Sequence, residues 1–296
     1  MSLVAAIPLG VGSSVVYGTS IVVQHRAAHT GGTEDAKHLL GLLRNPRWLL
    51  AIGGDFLGFL LQIGALATGP VVLIQPLVVL MLPVALVAAY LMGGPRPRPG
   101  DYLGCVAVIG GLTAFLTMVG YPRHSGRHHY ADPHPVDTSI AIVLVLVVGT
   151  SMCLAVRGRN AHLRGAIYGA AAGASFGTLG VLVNSVSHHL VDRQVSTLVT
   201  RPAGLVSIVG IALIGAAGII LTQVSFQVGA LGATLPASLA ADPTTAVILG
   251  VLLLHQLIPT GAGYLVGYLL CLAAVIAGAA RLATPAIEPA PVSAGV

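Results

Sequence analysis

Nine apolar stretches, each long enough to cross a bilayer as a helix, constrain this chain more than any other feature. A hydrocarbon core about 30 Å thick takes roughly 20 apolar residues in α-helical form. The stretches fall at 3–23, 47–68, 70–92, 102–120, 138–156, 164–187, 204–228, 232–254 and 261–281, here spans 1 to 9. With 55% of residues hydrophobic and 8% charged, the chain has too little polar surface to dissolve as a globule. The expected fold class is all-α: a polytopic membrane bundle of about nine transmembrane helices. A transmembrane barrel would instead show short segments of alternating hydrophobicity. The first stretch lacks the basic flank of a signal peptide. Cys105, Cys153 and Cys271 all fall inside spans and read as small core residues, so no disulfide framework is expected.

Loop charges set the orientation. Arg26, Lys37, Arg44, Arg47, Arg96, Arg98, Arg157, Arg159, Arg164 and Arg281 lie on one side of the threaded chain. Arg123, Arg127, Arg193 and Arg201 lie on the other. The side richer in Lys and Arg is expected to be cytoplasmic. This puts the protein in the cell membrane with its N-terminus outside and its C-terminus inside. The same asymmetry accounts for the net charge of +5, so no nucleic-acid partner is expected.

The two halves repeat. Tyr17-Gly18-Thr19 in span 1 returns as Phe176-Gly177-Thr178 in span 6. Gln62-Ile63-Gly64-Ala65-Leu66 returns as Gln227-Val228-Gly229-Ala230-Leu231. Pro76 and Pro83 of span 3 match Pro236 and Pro243 of span 8, and Tyr102-Leu103 matches Tyr264-Leu265. The division is therefore a first repeat at 1–120, an outer His-rich loop and linking helix at 121–163, a second repeat at 164–281, and a Pro-rich tail at 282–296 expected to be disordered. Four spans return the chain to its starting side and the fifth carries it across. The second copy is thus expected upside down, as in transporters that alternate between outward-open and inward-open states. A duplicated static bundle is the plainer alternative. Gly165, Gly169, Gly173 and Gly177 in span 6, with Gly10, Ser14 and Gly18 in span 1, form small-residue stripes that suit close helix packing. They are expected to bring spans 1 and 6 near the pseudo-twofold axis. A short segment at Ala36–Leu43 is a candidate remnant of a tenth helix.

Two carboxylates sit at membrane depth, Asp55 in span 2 and Asp242 in span 8. An ionised Asp at the bilayer centre costs about 2.5–3.5 kcal/mol on insertion scales, so it faces a wet cavity or a partner. Both are candidate substrate or metal ligands and candidate proton carriers. Gln62 shares a helical face with Asp55, and Ser238 and Thr245 share one with Asp242. Pro243 is expected to break span 8 beside Asp242 and free carbonyl groups for a cation. Gln75, Asn184 and Gln227 complete the set of candidate ligands, with Gln223 a further amide at depth; singly, each of these amides suits a helix–helix hydrogen bond as well. No Lys, Arg or His lies deep in a span, which disfavours a fixed anion site.

His124, His128, His129, His134, His188 and His189 enrich the outer loops, near Asp132, Asp137 and Asp192. No spacing among them matches a defined zinc site, and a solvated loop is the expected reading. Without a Walker motif, nucleophile elbow or HExxH, no enzymatic activity and no bound cofactor are expected.

These residues carry a resemblance. Gly12-Ser13-Ser14 through Gly18-Thr19-Ser20, Gly54-Asp55-Phe56, Gln75-Pro76-Leu77, Asp101-Tyr102-Leu103-Gly104-Cys105, Ala230-Leu231 and Pro243-Thr244-Thr245 look like the drug/metabolite transporter (EamA-like) superfamily. Within it the chain most resembles the nine-span NIPA-type magnesium transporters, over about residues 5–280. The resemblance implies secondary transport of Mg²⁺ or another divalent cation, with an acidic ligand where Asp55 stands. The chain departs from that family in its Gly/Pro/Arg loop at 93–100. A proton-coupled exporter of a small organic solute is the alternative, and a non-transporting membrane scaffold a third reading.

Overall fold

The computed structural model describes residues 3–29, 46–94, 96–119, 133–191, 195–228, 231–256, 258–259 and 261–283. Among these residues the secondary structure is helical, with no strand. Nine helical segments are long and apolar enough to cross a membrane: Val4–Val23, Leu49–Thr68, Val71–Leu91, Pro99–Val119, Pro135–Ala155, Ala161–Ser187, Pro202–Thr222, Pro236–Leu254 and Ala262–Leu282. They correspond one for one to the nine apolar stretches. A short helix at Val195–Thr200 precedes span 7 and has no counterpart in the sequence reading. The segment at 36–43, most of the histidine loop and the tail from 284 onward lie outside the described residues.

Outward-facing Val143, Leu144, Val147, Leu213, Ile220, Leu269 and Leu270 are more than half exposed, as side chains that meet lipid should be. The interior belongs to two helices. Spans 3 and 6 are 61% and 56% buried, against 33% or less for the other seven. The sequence reading placed spans 1 and 6 near the pseudo-twofold axis; by burial it is span 3 that accompanies span 6, packed against spans 1, 2, 4, 6, 8 and 9.

The small-residue stripes explain how the helices approach. Along span 6, a Cβ on Gly169, Gly173 or Gly177 would run into the backbone of Thr234, Ser238 or Asp242 in span 8, respectively. Both indices rise by four, so the two helices run in parallel, backbone against backbone. Span 1 does the same to span 3: Gly18 abuts the Met81 carbonyl and Val84, and the Ser14 hydroxyl donates to the Leu77 carbonyl at 2.8 Å. Spans 4 and 9 cross in opposite directions, with Gly104 against Gly278 and Gly111 against Cys271. Here one index rises by seven while the other falls by seven.

Proline acts where it was not expected. Span 8 is one continuous helix, Leu231–Leu254, through both Pro236 and Pro243. The expected break beside Asp242 is absent. Its glycine-lined contact with span 6 extends to both sides of Pro236 and as far as Asp242, and this packing holds the axis despite the lost amide. The irregularity falls in span 3, where Val71–Ile74 is α-helical, Gln75–Leu80 is 3₁₀ and Met81–Leu91 is α-helical again. Pro76 cannot donate an amide there. The tighter turn also presents the Leu77 carbonyl to Ser14.

Candidate functional site

Asp242 stands near the middle of the Leu231–Leu254 helix, about 16–18 Å from either end at 1.5 Å per residue. It is 8% exposed. Its Oδ1 accepts a 2.7 Å hydrogen bond from Gln75 Nε2. Gln75 Oε1 in turn accepts from Gln62 Nε2 at 3.2 Å. Gln62 and Gln75 are 7% and 5% exposed. Three of the residues expected to bind substrate therefore form one buried chain, drawn from spans 2, 3 and 8.

Local structure aims each member of this chain. The 3₁₀ turn starts at Gln75 and sends its side chain inward against Gly180 of span 6. A Cβ on Gly180 would lie 2.6–3.0 Å from the Gln75 amide atoms, so only glycine leaves room for that amide. Asp242 is fixed by the backbone contact of its own residue with Gly177.

The chain ends on an unpaired acceptor. Among the described residues Gln62 Oε1 is buried and has no hydrogen-bond partner. Such an atom costs about 1–3 kcal/mol if nothing reaches it.

Tyr17 was noted in the sequence only as a marker of the repeat, yet it lies within electrostatic reach of both Asp55 and Asp242. Its ring covers Gly58, one turn beyond Asp55 in span 2. The neighbouring Ser13 hydroxyl donates to the Gly58 carbonyl at 2.8 Å. Asp55 is half-buried and shares the Tyr17 neighbourhood with Asp242. The signal for Tyr17 was present in the sequence, a phenol at membrane depth where the second copy has Phe176.

The remaining candidates divide. Asn184, fully buried, donates to the carbonyls of Leu66 at 2.5 Å and Gly69 at 3.1 Å, closing the turn between spans 2 and 3. Gln256 accepts from the Val72 amide at 3.0 Å and donates to Asn184 Oδ1 at 3.5 Å. This pair clamps a turn and stands apart from the Asp242 chain. Gln256 escaped the sequence reading because it lies just past the apolar run. Thr245 is half-buried on span 8, and the adjacent Thr244 hydroxyl returns to the Ala240 carbonyl at 2.6 Å. Gln227 lies on the span 7 helix, Pro202–Val228, with its side chain, like that of Gln223, outside the described residues. Among the described residues no group of three or more His, Cys, Asp or Glu side chains could hold a metal ion.

Fold and site together define a multi-pass, all-helical integral membrane protein with a buried polar chain at mid-span. No family model matches the chain. An uncharacterized protein of Corynebacterium glutamicum is 29% identical over 248 residues, covering 82% of this chain and 81% of that protein. No solved structure matches.

Proposed function

We propose that this protein is a secondary transporter of the drug/metabolite type, in which Asp242, Gln75, Gln62 and Asp55 bind the transported species. The single observation that carries this reading is the Asp242–Gln75–Gln62 chain. It joins a mid-span carboxylate of the second half to spans 2 and 3 of the first. A scaffold gains nothing from a carboxylate at that depth, whereas a carrier uses one to bind a cation or a proton.

The repeat supports the same reading. Span 1 lies along spans 2 and 3, as span 6 lies along spans 7 and 8. The small-residue stripes meet equivalent stretches of spans 3 and 8, and spans 4 and 9 cross antiparallel. We read this as two inverted four-helix units joined by span 5, able to rock about the centre. Loop charge orients it with the N-terminus outside.

For the substrate, two carboxylates near Tyr17 and an orphan amide oxygen suit a hard divalent cation such as Mg²⁺, which binds few protein groups and keeps several waters. A proton-coupled exporter of an organic solute is the second reading. It is favoured by one specific contact: Asp242 is met by an amide N–H, a group that cannot ligate a metal.

The test is reconstitution of the purified protein into vesicles. Mg²⁺ flux that moves charge supports the cation reading. Solute flux that collapses with the pH gradient supports the second. Vesicles tight to every ion and solute offered would reject transport.

A further inference from the structure

The two halves of the chain make matching contacts, and they part at a few polar side chains. Gly18 of span 1 abuts the Met81 carbonyl of span 3, as Gly177 of span 6 abuts the Asp242 carbonyl of span 8. One residue earlier on each helix stands a ring. A Cβ on Gly58 of span 2 would meet the Tyr17 ring at 3.1–3.3 Å, and a Cβ on Gly218 of span 7 would meet the Phe176 ring at 3.1–3.3 Å. Both rings are half-buried and both glycines are buried. A phenyl group fills this seat in the second copy, so the Tyr17 ring needs no hydroxyl to fill it in the first.

What surrounds the ring differs. Asp55, Gly58 and Gln62 are spaced by three and four residues and so share one face of span 2. Span 1 covers this face, with Ser20 on Gly54 and Tyr17 on Gly58. Tyr17 therefore stands between Asp55 and Gln62, and from Gln62 the hydrogen-bond chain leads on to Asp242. It is within electrostatic reach of both carboxylates. On span 7 the same contact register puts Gly215 where Asp55 stands and Thr222 where Gln62 stands; Gln227, the match in sequence, lies five residues further on. Leu179 packs beside Gly215, and the Thr222 hydroxyl returns to the Gly218 carbonyl at 2.8 Å. The copy that lacks the carboxylate also lacks the phenol hydroxyl.

We propose that the Tyr17 hydroxyl is a binding group of the site, a neutral oxygen between two carboxylates, and that its contact with the transported species sets selectivity. A phenol oxygen both accepts and donates hydrogen bonds. Beside Asp55 and Asp242 it suits a species that is cationic or presents N–H or O–H groups, a chemistry that both substrate readings share. The second copy, with Phe176 and Gly215 at the equivalent places, offers no such site. This deepens the transport reading above and rests on it.

Two measurements on the full chain test the proposal, the first without a ligand. Melting in detergent reads the ring. Tyr17→Leu and Phe176→Leu should both melt below the parental protein, and Tyr17→Phe should melt with it. A Tyr17→Phe variant as unstable as Tyr17→Leu would make the hydroxyl structural and overturn the proposal. Flux into vesicles reads the hydroxyl, with Mg²⁺ alone as one probe and a labelled primary amine under a pH gradient as the other. For the probe that the parental protein carries, Tyr17→Phe should raise the half-saturating concentration about fivefold or more, as loss of one hydrogen bond to a bound species does. The maximal rate should change less. Parental half-saturation in Tyr17→Phe would overturn the role of Tyr17 and leave transport standing. Parental vesicles tight to both probes would count against transport itself and take this proposal with it.

Discussion

Gln75 Nε2 and Asp242 Oδ1 are 2.7 Å apart although 167 residues separate them in the chain. That bond joins the 3₁₀ turn of span 3 to the middle of span 8, and it gives a mid-membrane carboxylate a neutral partner in place of a cation. Its loss should be visible in stability. Replacing Gln75 by Leu leaves Asp242 without its donor and should cost about 1.5–3 kcal/mol, the range for a hydrogen bond to a charged group. Thermal melts in detergent would check this. Asp242→Asn keeps an acceptor oxygen for Gln75 and should cost less.

Gly180 makes the same point without removing a polar group. A methyl group there would press on the Gln75 amide, so Gly180→Ala should weaken the Gln75–Asp242 bond and lower the melting temperature. The effect should disappear when Gln75 is already Ala. A double-mutant cycle reads this directly; coupling below about 0.5 kcal/mol, the limit for independent sites, would contradict the account.

Glycines should fall into two classes. At Gly173 a Cβ would run into the Ser238 carbonyl oxygen, so Gly173→Ala must force spans 6 and 8 apart. It should cost well over 1 kcal/mol, since overpacking alone costs about 1–3. At Gly53 and Gly110 nothing lies within 4 Å. Alanine there should be neutral or stabilise by up to about 1 kcal/mol through helix propensity. Unfolding of the three variants in the same detergent distinguishes the classes.

Much of this could be read from the chain in advance, for particular physical reasons. A helix in lipid must be long, apolar and internally hydrogen-bonded, so the nine apolar runs reported their own positions. The stripe at Gly169, Gly173 and Gly177 announced a close helix contact but not its partner, because any helix can fill a groove. The kink was misplaced for a similar reason. Pro76 and Pro243 look alike in sequence, yet span 8, packed on the glycine ledge of span 6, runs straight through one while span 3 tightens at the other. Asp242 stood out by its cost in the membrane, and Gln62 and Gln75 by their depth. That they form one chain depends on how spans 2, 3 and 8 meet, which no local pattern encodes. Asn184 showed the converse: a buried amide that serves a turn.

Asn184 and Gln256 should behave as one structural unit. Asn184→Ala strips the Leu66 and Gly69 carbonyls of their shared donor, and Gln256→Ala strips the Val72 amide of its acceptor. Each should cost about 1–3 kcal/mol. Because the two side chains also bond to each other, the double variant should cost less than the two single costs together. Strict additivity in unfolding experiments would show that the clamp is not a unit.

The central claim is that a mid-membrane carboxylate system carries the transported species. Flux into vesicles containing the parental protein, Asp55→Asn or Asp242→Asn, each first shown to insert and fold, tests it most directly. Asparagine preserves the shape and removes the charge and its proton. The account predicts flux of Mg²⁺ or of a proton-coupled solute in the parental vesicles and at least a tenfold loss in both variants, equivalent to about 1.4 kcal/mol or more in the barrier. Parental rates in both variants would contradict it and leave the two carboxylates a structural role.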